Sequence, residues 1–145
     1  MTDYPEVKDF PMLARYCSLQ DQLFTVKEPE SVKQICWTMI TYTRPAMEEM
    51  EQYNAQMLQA TKEHAEYYEI EYREPHYVQF VNAEPFKRYA IINEREGNLS
   101  HAIWACQQAI AIGLTDDWTK AGMKGRLEKL FKRYNEQCRE EKKNT

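Results

Sequence analysis

Glycine, proline and long apolar runs are scarce in this chain, and each scarcity narrows what it can be. Four glycines and six prolines in 145 residues leave little material for turn-rich sheets, so long helices are the expected elements. Four of the prolines (Pro5, Pro11, Pro29, Pro45) fall in the first third, where interrupted structure should precede longer helices. No apolar stretch approaches the roughly 20 residues that cross a bilayer. The N-terminal MTDYPEVKDF has no basic region leading into an apolar one. Neither a transmembrane span nor a signal peptide is therefore expected, no membrane partner is implied, and a cytoplasmic location is the default. No CxxC pair occurs among Cys17, Cys36, Cys106 and Cys138. Their apolar neighbours point to small, reduced core residues rather than zinc ligands or disulfides.

Catalytic patterns are missing as well. Glu63, His64, Glu66, Glu69 and His76 offer no HxxxH or ExxH spacing that would put two ligands on one helix face. His64 lies near an apolar stripe and reads as a hydrogen-bonded core histidine, whereas His101 is expected to face solvent. The tetrapeptide GMKG at 122 to 125, with Lys120, Lys124 and Arg126 around it, has no preceding strand and no GK[ST] ending. It therefore makes neither a P-loop nor the GxxG loop of an RNA-binding KH module. There is no GxSxG and no convincing Cys/His pair. The chain is expected to be non-catalytic, with no cofactor and no metal.

What is present is helical periodicity on an acidic chain with a basic end. Residues 119 to 145 hold nine Lys+Arg against four Asp+Glu, while the whole chain carries a net charge of -4. The early segment 1 to 30 reads as irregular with a short helix over PMLARYCSLQ. Ser31 with Gln34 forms a capping-box pattern, and Val32, Ile35, Cys36, Met39 and Ile40 follow at helical spacing. At Pro45 the helix either ends near Thr43 and restarts with the proline in its first turn, which is the favoured reading, or runs on with a kink. From there Met47, Met50, Met57, Leu58, His64 and Tyr68 share a side of a helical segment running to residue 74. Its last part, where Tyr68, Ile70 and Tyr72 alternate with charged residues, could equally be a strand.

The clearest pattern lies between residues 83 and 114. Phe86, Tyr89, Ala90 and Asn93 fall on one helix face that Gly97 can close by adopting a left-handed backbone. Asn98 can cap the next helix, in which Leu99, Ala102, Ile103, Cys106, Ala109 and Ile110 recur until Gly113. So short a turn makes the two helices antiparallel neighbours. The run of Ala90, Gly97, Asn98, Leu99, Ala102, Cys106 and Ala109 resembles one tetratricopeptide repeat, a 34-residue helix-turn-helix unit. That resemblance implies a hairpin stacked on neighbouring helices, with a groove for a peptide or another protein. It departs from the family at Asn93, where a bulky residue is usual, at Leu114 and Thr115, which replace the closing proline, and in having no second repeat. Other helices of the chain, or a second copy, must then complete the core.

A final helix should start after Thr115, Asp116 and Asp117, plausible caps, and run to residue 143. It carries a stripe of Met123, Leu127, Leu130, Phe131, Tyr134 and Cys138 that packs on the hairpin as a cap, and a basic opposite side. Gly122 and Gly125 are costly inside a helix and suggest close approach or a loose first turn. The fold expected is all-α: a single helical domain with a tetratricopeptide-like hairpin and a capping C-terminal helix, packed on a long N-terminal helical segment. The expected function is protein-protein interaction or scaffolding, with Phe86, Tyr89, Asn93 and Trp104 lining the partner groove. An alternative is nucleic-acid binding through Lys129, Lys132 and Arg133, with Trp118 and Tyr134 adding stacking. Three tryptophans and ten tyrosines also make a homo-oligomer plausible.

Overall fold

In the computed structural model, residues 1–76, 79–114 and 122–143 are described, and among them the regular structure is entirely helical. A 3₁₀ turn, Val7–Asp9, precedes α1 (Pro11–Thr25), α2 (Pro29–Tyr67), α3 (Glu84–Arg95), α4 (Leu99–Ala111) and α5 (Met123–Lys143). The all-α expectation therefore holds. Two compact units emerge: Met1–Thr25 with Thr41–Val81, and Val26–Ile40 with Asn82–Thr145. The expected caps Thr115, Asp116 and Asp117, together with Trp118 and Lys120, lie outside the described residues.

In the first unit, Pro11 opens α1 at a position that needs no amide proton. The next two amides, of Met12 and Leu13, donate to the Glu49 carboxylate at 2.8 and 3.1 Å. A side chain from α2 thus supplies the cap that α1 lacks in its own sequence. Helix α1 buries Leu13, Tyr16, Leu19 and Leu23, and is longer than the three turns expected, because the apolar spacing continues through Leu23. From α2 this core receives Thr43, Ala46, Met50, Ala60 and Ala65. Tyr53 holds Phe10 edge-on at 5.9 Å and Phe80 at 5.5 Å.

Helix α2 corrects three expectations. It passes through Pro45 without a break; the roughly 3 kcal/mol that an interior proline costs is offset by packing on both sides, where Met39, Thr43, Ala46 and Met50 are buried. It starts at Pro29, and its cap is Glu28 rather than Ser31. The Glu28 carboxylate accepts from the Ser31 hydroxyl at 2.5 Å and from the amides of Glu30 and Ser31 at 3.3 Å, bonds that hold its pKa below the usual range. It also stops at Tyr67 instead of residue 74. The Ile70 amide donates to the Ala65 carbonyl at 3.0 Å across Glu69, which adopts the left-handed backbone at φ 54°. Residues 70 to 76 are then neither helix nor strand.

The second unit contains the start of α2, the α3–α4 hairpin and α5. Val32, Cys36, Met39 and Ile40 are buried and Ile35 half-buried, as their spacing implied. Helix α3 closes with paired bonds: the Asn98 amide to the Asn93 carbonyl at 2.7 Å and the Gly97 amide to the Glu94 carbonyl at 3.1 Å. Gly97 takes φ 82°. Helix α4 ends alike at Gly113, with φ 77°, where the buried Leu114 donates to the Ala109 carbonyl at 2.9 Å. These bonds satisfy carbonyls that a helix end would leave unpaired. Asn98 stands at the start of α4 but makes no side-chain cap bond; its amide group reaches Glu96 at 3.5 Å instead. Ala90, Ala102 and Ala109 are fully buried, where small side chains let helices approach.

Helix α5 packs on α4, but less of it than its stripe implied. Met123 and Leu130 are buried and Leu127 is half-buried, whereas Phe131 and Tyr134 are each 40% exposed. Beyond Leu130 no described residue of α5 is buried. Gly122 precedes the helix and Gly125 lies in its first turn.

Candidate functional site

Three aromatic rings of the second unit meet where the start of α2 packs on the hairpin. Trp37 lies 5.2 Å from Trp104 and 5.8 Å from Tyr89 between ring centroids, with the planes tilted by 38° and 36°. Tyr89 meets Trp104 edge-on at 6.3 Å. Each ring comes from a different helix, α2, α3 and α4, so the cluster exists only when the three pack. Aromatic pairs at such distances contribute about 0.5–1.5 kcal/mol beyond the area they bury. Trp37 nevertheless remains 44% exposed, resting on the buried Tyr89 and the half-buried Trp104.

A groove of about 340 Å³ runs beside this platform, lined by Lys33, Gln34, Trp37, Thr38 and Tyr89. Lys33 is held at its rim by Glu96 at 2.8 Å and Glu30 at 3.4 Å, and the bond to Glu96 is the main reason its pKa is raised. The Tyr89 hydroxyl stands 3.5 Å from Nδ1 of His101, which is solvent-exposed as expected.

Of the four residues expected to face a partner, the structure brings two to this platform and removes two. Tyr89 lines the groove although only 6% of its surface is exposed, and Trp104 is half-buried against Trp37. Phe86 and Asn93 are core residues; the Asn93 side-chain amide donates to the Tyr89 carbonyl at 2.8 Å, so its polar group is satisfied within α3. Both are covered by the chain's own helices. Trp37 is the residue that sequence reasoning missed. It stands one position after the stripe residue Cys36, as Trp104 stands one after Ile103, and a large aromatic flanking a stripe in each of two helices was the available signal.

The three residues of the nucleic-acid alternative are divided too. Arg133 donates to the Glu94 carboxylate, which also lies 3.8 Å from Arg126. Lys129 lines a small recess with Glu94, Arg126 and Leu130, and Lys132 is exposed. One of the three charges is thus already engaged by this chain.

Other candidates for chemistry resolve into packing. His64 is half-buried with its ring 4.6 Å from that of Tyr4. Among the described residues, no group of three or more His, Cys, Asp or Glu could hold a metal ion. Burial pushes the Cys36 thiol up to about 12 and the Cys106 thiol up to about 11, the wrong direction for a nucleophile. Among the described residues no helix is long and apolar enough to cross a membrane. No family model, curated protein or solved structure matches the chain.

Proposed function

We propose that the second unit is a non-catalytic protein-interaction module whose contact surface is the platform of Trp37, Tyr89 and Trp104. The observation that carries this reading is the exposure of Trp37 against two tilted aromatic neighbours. Rigid, partly desolvated tryptophan and tyrosine are the residues that dominate binding energy at protein interfaces. The partner this surface suits is a peptide or helix presenting a large apolar side chain to the groove, with its polar flank beside Lys33. The tetratricopeptide-like reading of the hairpin belongs to the same proposal. It is supported by the glycine-closed turn at Gly97 and by the fully buried Ala90, Ala102 and Ala109.

The test is to select binders from a randomised peptide library on the immobilised protein and measure them against Trp37→Ala and Trp104→Ala variants of unchanged circular dichroism. Loss of an aromatic anchor costs about 2 kcal/mol, roughly thirtyfold in Kd. Binders that hold both variants as tightly as the parent would remove this surface from the reading. A nucleic-acid role would have to release Arg133 from Glu94. Anisotropy of a labelled oligonucleotide in low salt, lost on Lys129→Ala with Lys132→Ala, would replace the proposal.

A further inference from the structure

The flank of α3 turned away from the tryptophans has a surplus of positive charge. At 100° per residue, Ile91 and Arg95 lie on the far side of the helix from Tyr89. Together with Glu94, Arg126 and Arg133 they line a groove of about 530 Å³, and Lys129 and Leu130 join Glu94 and Arg126 in an adjoining recess. Four cations therefore share these two recesses with one carboxylate. Glu94, set between Arg126 and Arg133, shows which chemistry the site accepts, since a guanidinium fork matches a carboxylate. Neither Arg95 nor Lys129 forms an ion pair among the described residues.

The same chain carries a segment of opposite character. Residues 66 to 74, EYYEIEYRE, hold four glutamates against one arginine. Tyr67 is 70% exposed and Ile70 63%. The amides of Glu69 and Ile70 are tied into the end of α2, and after Ile70 the backbone has no regular structure through residue 76. Glu69 stands at the left-handed turn that ends α2, and Glu71 follows two residues on with the exposed Arg73 beside it at 4.0 Å, so both carboxylates face solvent.

We propose that the Arg95–Arg126–Arg133 groove receives the acidic segment around Glu69 and Glu71 of a second copy of this chain. The carboxylates pair with the cations that Glu94 leaves unneutralised. A nucleic acid fits these observations less well, because beyond the groove α5 carries Glu136, Glu140 and Glu141, which interrupt any track for a phosphate backbone. Because groove and segment are different surfaces, the contact is head to tail, and association closes into a ring or continues as a chain.

Two neutralising variants test this without disturbing the Glu94 pairs: Arg95→Gln with Lys129→Gln, and Glu69→Gln with Glu71→Gln. Sedimentation velocity over a concentration series should show the parent self-associating at 0.1 M salt. At 1 M salt, where the screening length falls from about 10 Å to about 3 Å, that association should be lost. Each variant alone should associate about tenfold more weakly, the effect of removing two surface ion pairs. An equimolar mixture of the two variants should restore a complex of one copy of each and nothing larger, since each supplies the surface the other lacks. A labelled peptide of residues 63–76 should bind the parent and lose affinity for the groove variant. A monomeric parent, an association indifferent to both variants, or a mixture without the mixed dimer would overturn the proposal. A parent that binds the peptide while remaining monomeric would overturn the second copy as occupant.

Discussion

Helices α4 and α5 have equally clear apolar stripes in sequence, yet they end in opposite situations. Helix α4 buries Leu99, Ala102, Ile103, Ala105, Cys106 and Ala109, with other helices of the unit on its buried faces. Helix α5 is longer but buries only Met123 and Leu130, and the continuation of the same stripe, through Phe131, Tyr134 and Cys138, stays exposed or half-buried. A 3.6-residue period fixes which side of a helix is apolar. It says nothing about whether a neighbour reaches far enough along to cover it.

The comparison is broken most sharply by thiol labelling, because each helix carries one cysteine on its stripe. Cys106 is buried and Cys138 only half-buried. Under native conditions Cys138 should react with an aromatic disulfide reagent readily. Cys106 should wait for unfolding, slower by about a thousandfold or more for a domain of ordinary stability. Equal rates would mean that α4 is not covered as described. The pH dependence follows from the raised Cys106 pKa. The thiol's contribution to stability is complete below 9.0, its value when unfolded, and is lost as pH rises from there through about 11. The slope per thiol is at most about 1.4 kcal/mol for each pH unit, measurable as a falling urea midpoint that Cys106→Ala makes shallower.

Next in size is the core that α4 shares with α3. Phe86→Ala should cost about 3–5 kcal/mol in urea unfolding, the range for deleting a buried ring and leaving its cavity. A loss below 1 kcal/mol would show Phe86 to be as uncovered as the outer half of α5.

Helix ends make a smaller version of the same contrast. Gly97 occupies the left-handed region with open space where a Cβ would stand, so Gly97→Ala should cost only the backbone strain, about 1–2 kcal/mol. The end of α2 reverses the situation, since Glu69 holds that conformation with a side chain. Glu69→Gly should be neutral or stabilising by up to about 1 kcal/mol, the relieved strain being partly offset by the entropy of glycine. If both changes destabilise equally, the strain account of these termini fails.

These contrasts also mark what sequence reading could reach. The hairpin was legible because its instructions are local: Gly97 and Gly113 must stop helices, and the alanines between them repeat at helical spacing. The interruption at Pro45 was misread because a proline's cost is local while its compensation, the burial of Met39, Ala46 and Met50, is not. The cap of α1 was invisible for the same reason, since Glu49 lies 37 residues from the Met12 amide it accepts. Of the aromatic platform, Tyr89 and Trp104 were found from the hairpin itself. Trp37 was missed because it reaches the hairpin from another helix. Phe86 and Asn93 were put on the partner face because periodicity does not distinguish a face covered by the chain from one left open.

The smallest expected effect bears on that last distinction. Phe131 is as large as Phe86 and stands on as regular a stripe, but at 40% exposure it has surrendered little of its contact with water. Phe131→Ala should therefore change unfolding free energy by less than about 0.5 kcal/mol, as surface substitutions do. Tyr134→Ala, equally exposed, should match it. A loss of 2 kcal/mol or more from either, in dilute solution, would mean that the outer stripe of α5 is covered after all. If the loss grew with protein concentration, the cover would come from another copy and the measured stability would contain the free energy of association. If it did not, the cover would come from within the chain, and the contrast between α4 and α5 would disappear.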